Sequence, residues 1–174
     1  MASEFEDSYD AWLEGREEHA TDALIEERLG DWELSAPVMV EEDCCLADAI
    51  RTMKDRHVGC VIVGSGPRGM VGIFSERDLL VRVSLKGVDE QTAPISSFMT
   101  HAPECLHRDD SIAQALHLMI REGFRHVPVL GDNDELVGVF SMRDVARFVA
   151  ELFPKEVHNA PPTGQTRPPT RYGG

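Results

Sequence analysis

The chain has 174 residues and carries 31 acidic against 17 basic side chains, a formal net charge of −14. Hydrophobic residues make up 42% and charged residues 28%, the balance of a soluble globular protein with one domain or two small modules. Nothing supplies the basic face a general nucleic-acid binder needs, and no apolar run approaches the ~18 residues of a membrane-spanning helix.

The charge is uneven along the chain. Residues 1–43 hold 15 acids and 2 bases, and the remainder is close to neutral. The opening MASEFEDSYD is acidic, unlike a secretory signal or a transit peptide, so a cytoplasmic location is expected. Residues 1–21 read as an acidic extension, either a docked helix built on Tyr9, Trp12 and Leu13 or a solvated arm. Thr21–Leu29 reads as a short helix with Ile25, Leu29 and Trp32 on one side, expected to pack on the unit that follows it.

A displacement of 66 residues aligns Leu29–Val83 with Ile95–Val149 without a gap, with identities at 15 of 55 positions. The densest match sets VGIFSERD against VGVFSMRD. A fixed-period match of this length marks two copies of one unit. Each copy begins with a short extended piece, Val38–Val40 or Glu104–Leu106. A helix follows, Leu46–Arg56 or Ile112–Glu122, with apolar residues at i, i+3, i+4 and i+7. Asp43 and Asp109 stand ahead of these helices as expected caps. Next come a β-rich run (Cys60–Val63 or Val127–Leu130), turn residues, and a second strand (Met70–Phe74 or Leu136–Phe140). A final helix starts at Glu76 or Met142. The pattern is β-α-β-β-α. One copy is near the lower size limit for independent folding, so the two are expected to share a core. The expected boundaries are 22–84 for the first unit with its preceding helix, 85–94 for a linker and 95–153 for the second unit. Residues 154–174 form a tail rich in Pro and Gly, expected to be disordered.

Cys44, Cys45, Cys60 and Cys105 include no CxxC pair, so neither a zinc site nor a disulfide framework is expected. Cys105 and His107 alone are too few to hold a metal. No Walker loop, nucleophile elbow, HExxH or GxGxxG occurs. A redox role for Cys44-Cys45 is the only enzymatic alternative.

Two tandem β-α-β-β-α units, each ending in Val-Gly-Ile/Val-Phe-Ser-x-Arg-Asp, resemble a pair of CBS domains, named for cystathionine β-synthase and together called a Bateman module. The second copy carries the fuller pattern, with Met99-Thr100, Ser111, Ala115, Met119, Arg125-His126-Val127-Pro128-Val129, Gly138 and Asp144. The resemblance covers about 120 of the 174 residues. It implies an α+β fold with pseudo-two-fold symmetry, sheets face to face and two related clefts. It further implies a homodimer and a non-catalytic regulator of a partner protein. The implied ligands are regulatory and not obligatory: AMP, ADP, ATP, S-adenosylmethionine or a dinucleotide.

The chemistry of such a ligand can be matched to residues. A ribose diol needs a carboxylate acceptor, and phosphates need N–H donors and cations. By the resemblance, Asp78 and Asp144 hold ribose, and Ser75 and Ser141 reach ribose or phosphate. Arg77 and Arg143 stand beside them as candidate phosphate partners, and Ile73 and Val139 line the adenine slots. Arg125 and His126 would complete the Asp78 cleft. The uncharged Gly59 and Cys60 would complete the Asp144 cleft, so the Asp78 cleft is expected to take polyphosphate better. The competing reading is that Ser-x-x-Asp only caps a helix. The chain would then be a ligand-free dimerisation and interaction scaffold.

Overall fold

The chain alternates residues that suit helix faces with residues that suit sheets buried on both sides. A computed structural model describes residues 20–66 and 69–154. The expectations for the acidic arm and the tail fall outside these ranges, apart from residues 20, 21 and 154. In the first repeat, β1 (Met39–Val40) leads to α2 (Leu46–Arg56), β2 (Cys60–Gly64) and β3 (Met70–Ser75). A short α3 (Glu76–Asp78) continues into a π-helical turn, Leu79–Val83. In the second, β4 (Thr100–His101) and β5 (Leu106–His107) precede α4 (Ile112–Glu122), β6 (His126–Leu130), β7 (Leu136–Ser141) and α5 (Met142–Leu152). Residues 20–26 are helical (α1). No helix among the described residues is long and apolar enough to cross a membrane.

Two sheets form, ordered β1-β2-β3-β4 and β5-β6-β7. Alternation along each strand explains the layers. Val61, Val63 and Phe74 turn to one side, into a core with Leu46, Ala49 and Met53 of α2. Val127, Val129 and Phe140 do the same against Ile112, Ala115 and Met119 of α4. The other faces meet. Cys60, Ile62 and Ile73 of the first sheet pack with Leu136 and Val139 of the second. The sheets are face to face, which is why every residue of β2 is buried.

The helix caps differ from expectation. Ser111 caps α4, in a reciprocal capping box with Gln114. Cys45 stands at the N-cap of α2 and makes no side-chain cap bond. Asp43 and Asp109 precede these positions and cap neither helix, because each helix begins two residues later than a cap at 43 or 109 requires.

The packing of the N-terminal segment also differs. Ile25 is exposed, and Leu29 opens a 3-10 turn, Leu29–Asp31. Leu29 is fully buried in the core of the second unit and not in that of the first. Its repeat equivalent, Ile95, is fully buried in the core of the first. The backbone shows the same exchange. Leu29 N–H donates to Asp110 C=O at 2.9 Å, and Ile95 N–H donates to Cys44 C=O at 2.9 Å. Strand β4 of the second repeat adds to β3 of the first, and Ser35 of the first repeat bridges to Val139 of the second. Each copy therefore fills and edges the other's layer. Trp32 fixes the exchanged segment, meeting Phe148 edge-on at 5.6 Å and lying under the Arg147 guanidinium at 5.3 Å.

Candidate functional site

Both Ser-x-Arg-Asp segments sit where a strand gives way to a helix, and both carboxylates turn back on the free N–H groups there. Asp78 Oδ2 accepts from Ser75 N–H at 2.9 Å and from Ser75 Oγ at 2.7 Å, while Arg82 Nε lies 3.2 Å from Oδ1. Asp144 Oδ2 accepts from Ser141 N–H at 2.8 Å and from Ser141 Oγ at 2.6 Å, and Arg147 donates to its Oδ1 at 3.1 Å. Helix capping is thus real at both positions. A carboxylate offers about four lone-pair sites, so three are engaged. A ribose diol that takes both oxygens competes with the arginine. Arg82 and Arg147 were not singled out from sequence; a basic residue three or four positions after the Asp was the available signal.

Two clefts flank the meeting line of the sheets. The smaller, about 420 Å³, is lined by Ile73, Ser75, Arg77 and Asp78, with Arg125 and His126 from the other copy. All six expected residues come together there. Arg77 donates to the Gly123 carbonyl and ties the two copies across this cleft. The larger, about 670 Å³, is lined by Val139, Ser141 and Arg143, with Gly59 and Cys60 opposite. Asp144 is not part of its lining. The residue is only 4% exposed, bonded to Ser141 and Arg147, so its carboxylate is less open than that of Asp78.

The expected charge asymmetry is reversed. Arg125 and His126 line both clefts, because β6 runs along the wall they share. The larger cleft has the cations Lys54, Arg125 and Arg143 against the single acid Glu76. The smaller sets Arg77, Arg82 and Arg125 against Glu76, Asp78, Glu104 and Glu122. Arg121 pairs with both Glu104 and Glu122 at the rim, which leaves the smaller cleft balanced.

His126 lies against Gly59, where an added Cβ would stand 2.9 Å from its Nε2. Burial and the neighbouring Arg125 and Arg143 push its pKa below 6.5, against the opposite pull of Glu76 and Asp144. A neutral imidazole in the folded state means the unfolded chain takes up the proton first. The resulting stability is complete above pH 6.5 and is lost as pH falls below it. Urea titrations at pH 7.5 and 5.5 will show a smaller acid loss for His126→Gln than for the parent chain; equal losses would exclude this role.

Cys60 faces the larger cleft with its thiol pushed up to about 12 by burial and by Glu76. It stays protonated at neutral pH and supplies no thiolate. Burial, then Cys45, also raises the Cys44 thiol, which weakens a redox reading of that pair. Among the described residues, no group of three or more His, Cys, Asp or Glu is placed to hold a metal ion.

Doubled strand–Ser-x-Arg-Asp–helix units, packed sheet to sheet with a cleft on either side, define a tandem-repeat α+β module. The family model for the CBS domain matches residues 30–85 and 95–151: the chain belongs to the CBS domain family and carries two copies of it. An uncharacterized 17.7 kDa protein of Acidianus ambivalens is 31% identical over 114 residues, covering 66% of this chain and 68% of its own length. An uncharacterized Methanopyrus kandleri protein is 27% identical over 93 residues, but the chain spans only 47% of it. A CBS domain protein of Pyrobaculum aerophilum complexed with AMP superposes with a TM-score of 0.65 at 27% identity, covering 74% of this chain and 99% of its own.

Proposed function

We propose that the chain is a non-catalytic regulatory module that binds an adenosine nucleotide in the clefts between its two CBS units and signals occupancy to a partner protein, as a homodimer. The observation that carries this reading is the smaller cleft. It gathers a partly exposed carboxylate (Asp78), a serine at a helix start and an apolar wall (Ile73), with Arg125 shared with the larger cleft. The carboxylate and the wall meet the needs of ribose and base, and the cations lining the two clefts meet those of phosphate. The AMP complex of the Pyrobaculum relative supports it.

Calorimetry with AMP, ADP, ATP and S-adenosylmethionine tests it. At least one ligand is expected to give saturable heat, and Asp78→Asn to weaken ligand held in the smaller cleft about tenfold or more. At 100 times the dissociation constant, the bound ligand will add about 2.7 kcal/mol to unfolding stability. One structural fact favours the scaffold reading: both carboxylates already serve as caps. Absence of heat and of any stability gain with all four ligands would decide for it.

A further inference from the structure

We infer that the two clefts are not equivalent, and that the larger one, walled by Lys54, Arg125 and Arg143, is the polyphosphate site. The inference rests on the nucleotide-binding reading and assigns its phosphates to one cleft. Three observations carry it.

The first is which cations are uncommitted. In the smaller cleft, Arg77 is spent on the Gly123 carbonyl. Arg82 is spent on Asp78 and on Phe98 C=O, Met99 C=O and Thr100 Oγ1. In the larger cleft, neither Lys54 nor Arg143 has a side-chain hydrogen bond or ion pair among the described residues, and both are exposed. A phosphate gains most from a donor that gives up no existing bond.

The second is net charge. The larger cleft keeps two more cations than acids, whereas the smaller, with Arg121 at its rim, keeps none. A chain of phosphates would face Asp78, Glu76, Glu104 and Glu122 in the smaller cleft. The acid-rich wall there suits an adenosine compound with little or no negative charge.

The third is volume: the larger cleft has about 670 Å³ against about 420 Å³ for the smaller.

The test compares adenosine, AMP, ADP, ATP and inorganic tripolyphosphate on the parent chain, on Lys54→Ala/Arg143→Ala and on Arg77→Ala. Lys54 and Arg143 are exposed and make no side-chain hydrogen bond or ion pair among the described residues, so their removal leaves the fold intact. Affinity is expected to rise from AMP to ATP in the parent chain and in Arg77→Ala. In the double variant that rise should vanish, and tripolyphosphate binding should fall about tenfold or more. A rise that persists in the double variant, or that Arg77→Ala abolishes, overturns the assignment. So does failure of tripolyphosphate to bind the parent chain. Tripolyphosphate binding that needs Lys54 and Arg143, with no binding by any adenosine compound, upholds the assignment and overturns the nucleotide reading.

Discussion

Leu29→Ala will destabilise the chain by about 2–5 kcal/mol, the cost of emptying a fully buried aliphatic site, and the damage will appear in the second unit. Leu29 is 0% exposed and belongs to the cluster of Ile112, Met119, Phe140 and Phe148, although it stands at the head of the first repeat. Methyl signals of Met119 and Ile112 should therefore move, while those of Met53 stay. Ile95→Ala is the mirror experiment. It empties the cluster of Met53, Val61 and Phe74 and should move Met53 while leaving Met119. Since each half lacks part of its core without the other's leading segment, urea unfolding should be a single transition. Loss below about 1 kcal/mol, or disturbance in the half that contains the substitution in sequence, contradicts the exchange.

The sequence reading reached the units but not the exchange, for a physical reason. A gapless repeat establishes which residues are equivalent. It is unchanged if every Leu29 equivalent fills its own copy's core or the other's. Helices at Leu46–Arg56 and Ile112–Glu122 were legible because the apolar positions recur at helical period and nothing in the tertiary structure opposes them. Leu29 carries no such mark of destination. The charge of the two clefts is hidden in the same way. Repeat equivalence places Arg125 and His126 at one cleft, but a strand buried between two clefts presents its residues to both. Lys54 bears no mark of a ligand role in the sequence, because it lies on the exposed side of an amphipathic helix, where a lysine is ordinarily only solvated. Its equivalent in the other copy is Ile120, which is 80% exposed. That Lys/Ile contrast is a sequence-level trace of the charge difference between the clefts. Ser-x-Arg-Asp was legible as a site because the cap and the ligand acceptor call for the same residue types. For that reason the pattern alone does not separate the two roles.

One trace of the exchange was on view in the repeat: the identical pair Gly72 and Gly138. Neither glycine has the positive φ that would demand glycine, so the backbone accepts alanine at both. An ordinary Gly→Ala change at such a site stabilises by about 0.4–1 kcal/mol through the unfolded chain. Here the sign is expected to reverse. A Cβ at 138 would lie 2.5 Å from Leu34 Cβ, and one at 72 would lie 2.5 Å from Met99 Sδ and 2.8 Å from the Thr100 carbonyl. These atoms belong to the segments that cross from the other copy, and a backbone carbonyl or a Cβ does not swing away as a side-chain tip does. Gly138→Ala and Gly72→Ala should each cost ~1–3 kcal/mol, and the valine variants more, because the exchanged strand must lift off the sheet edge. Leu34→Gly removes the opposing Cβ. In a double-mutant cycle, the penalty of Gly138→Ala should therefore shrink in the Leu34→Gly background. Neutral or stabilising alanine variants, or a cycle with no coupling, would mean that the crossing strands do not press on these glycines, and the reciprocal architecture would have to be abandoned.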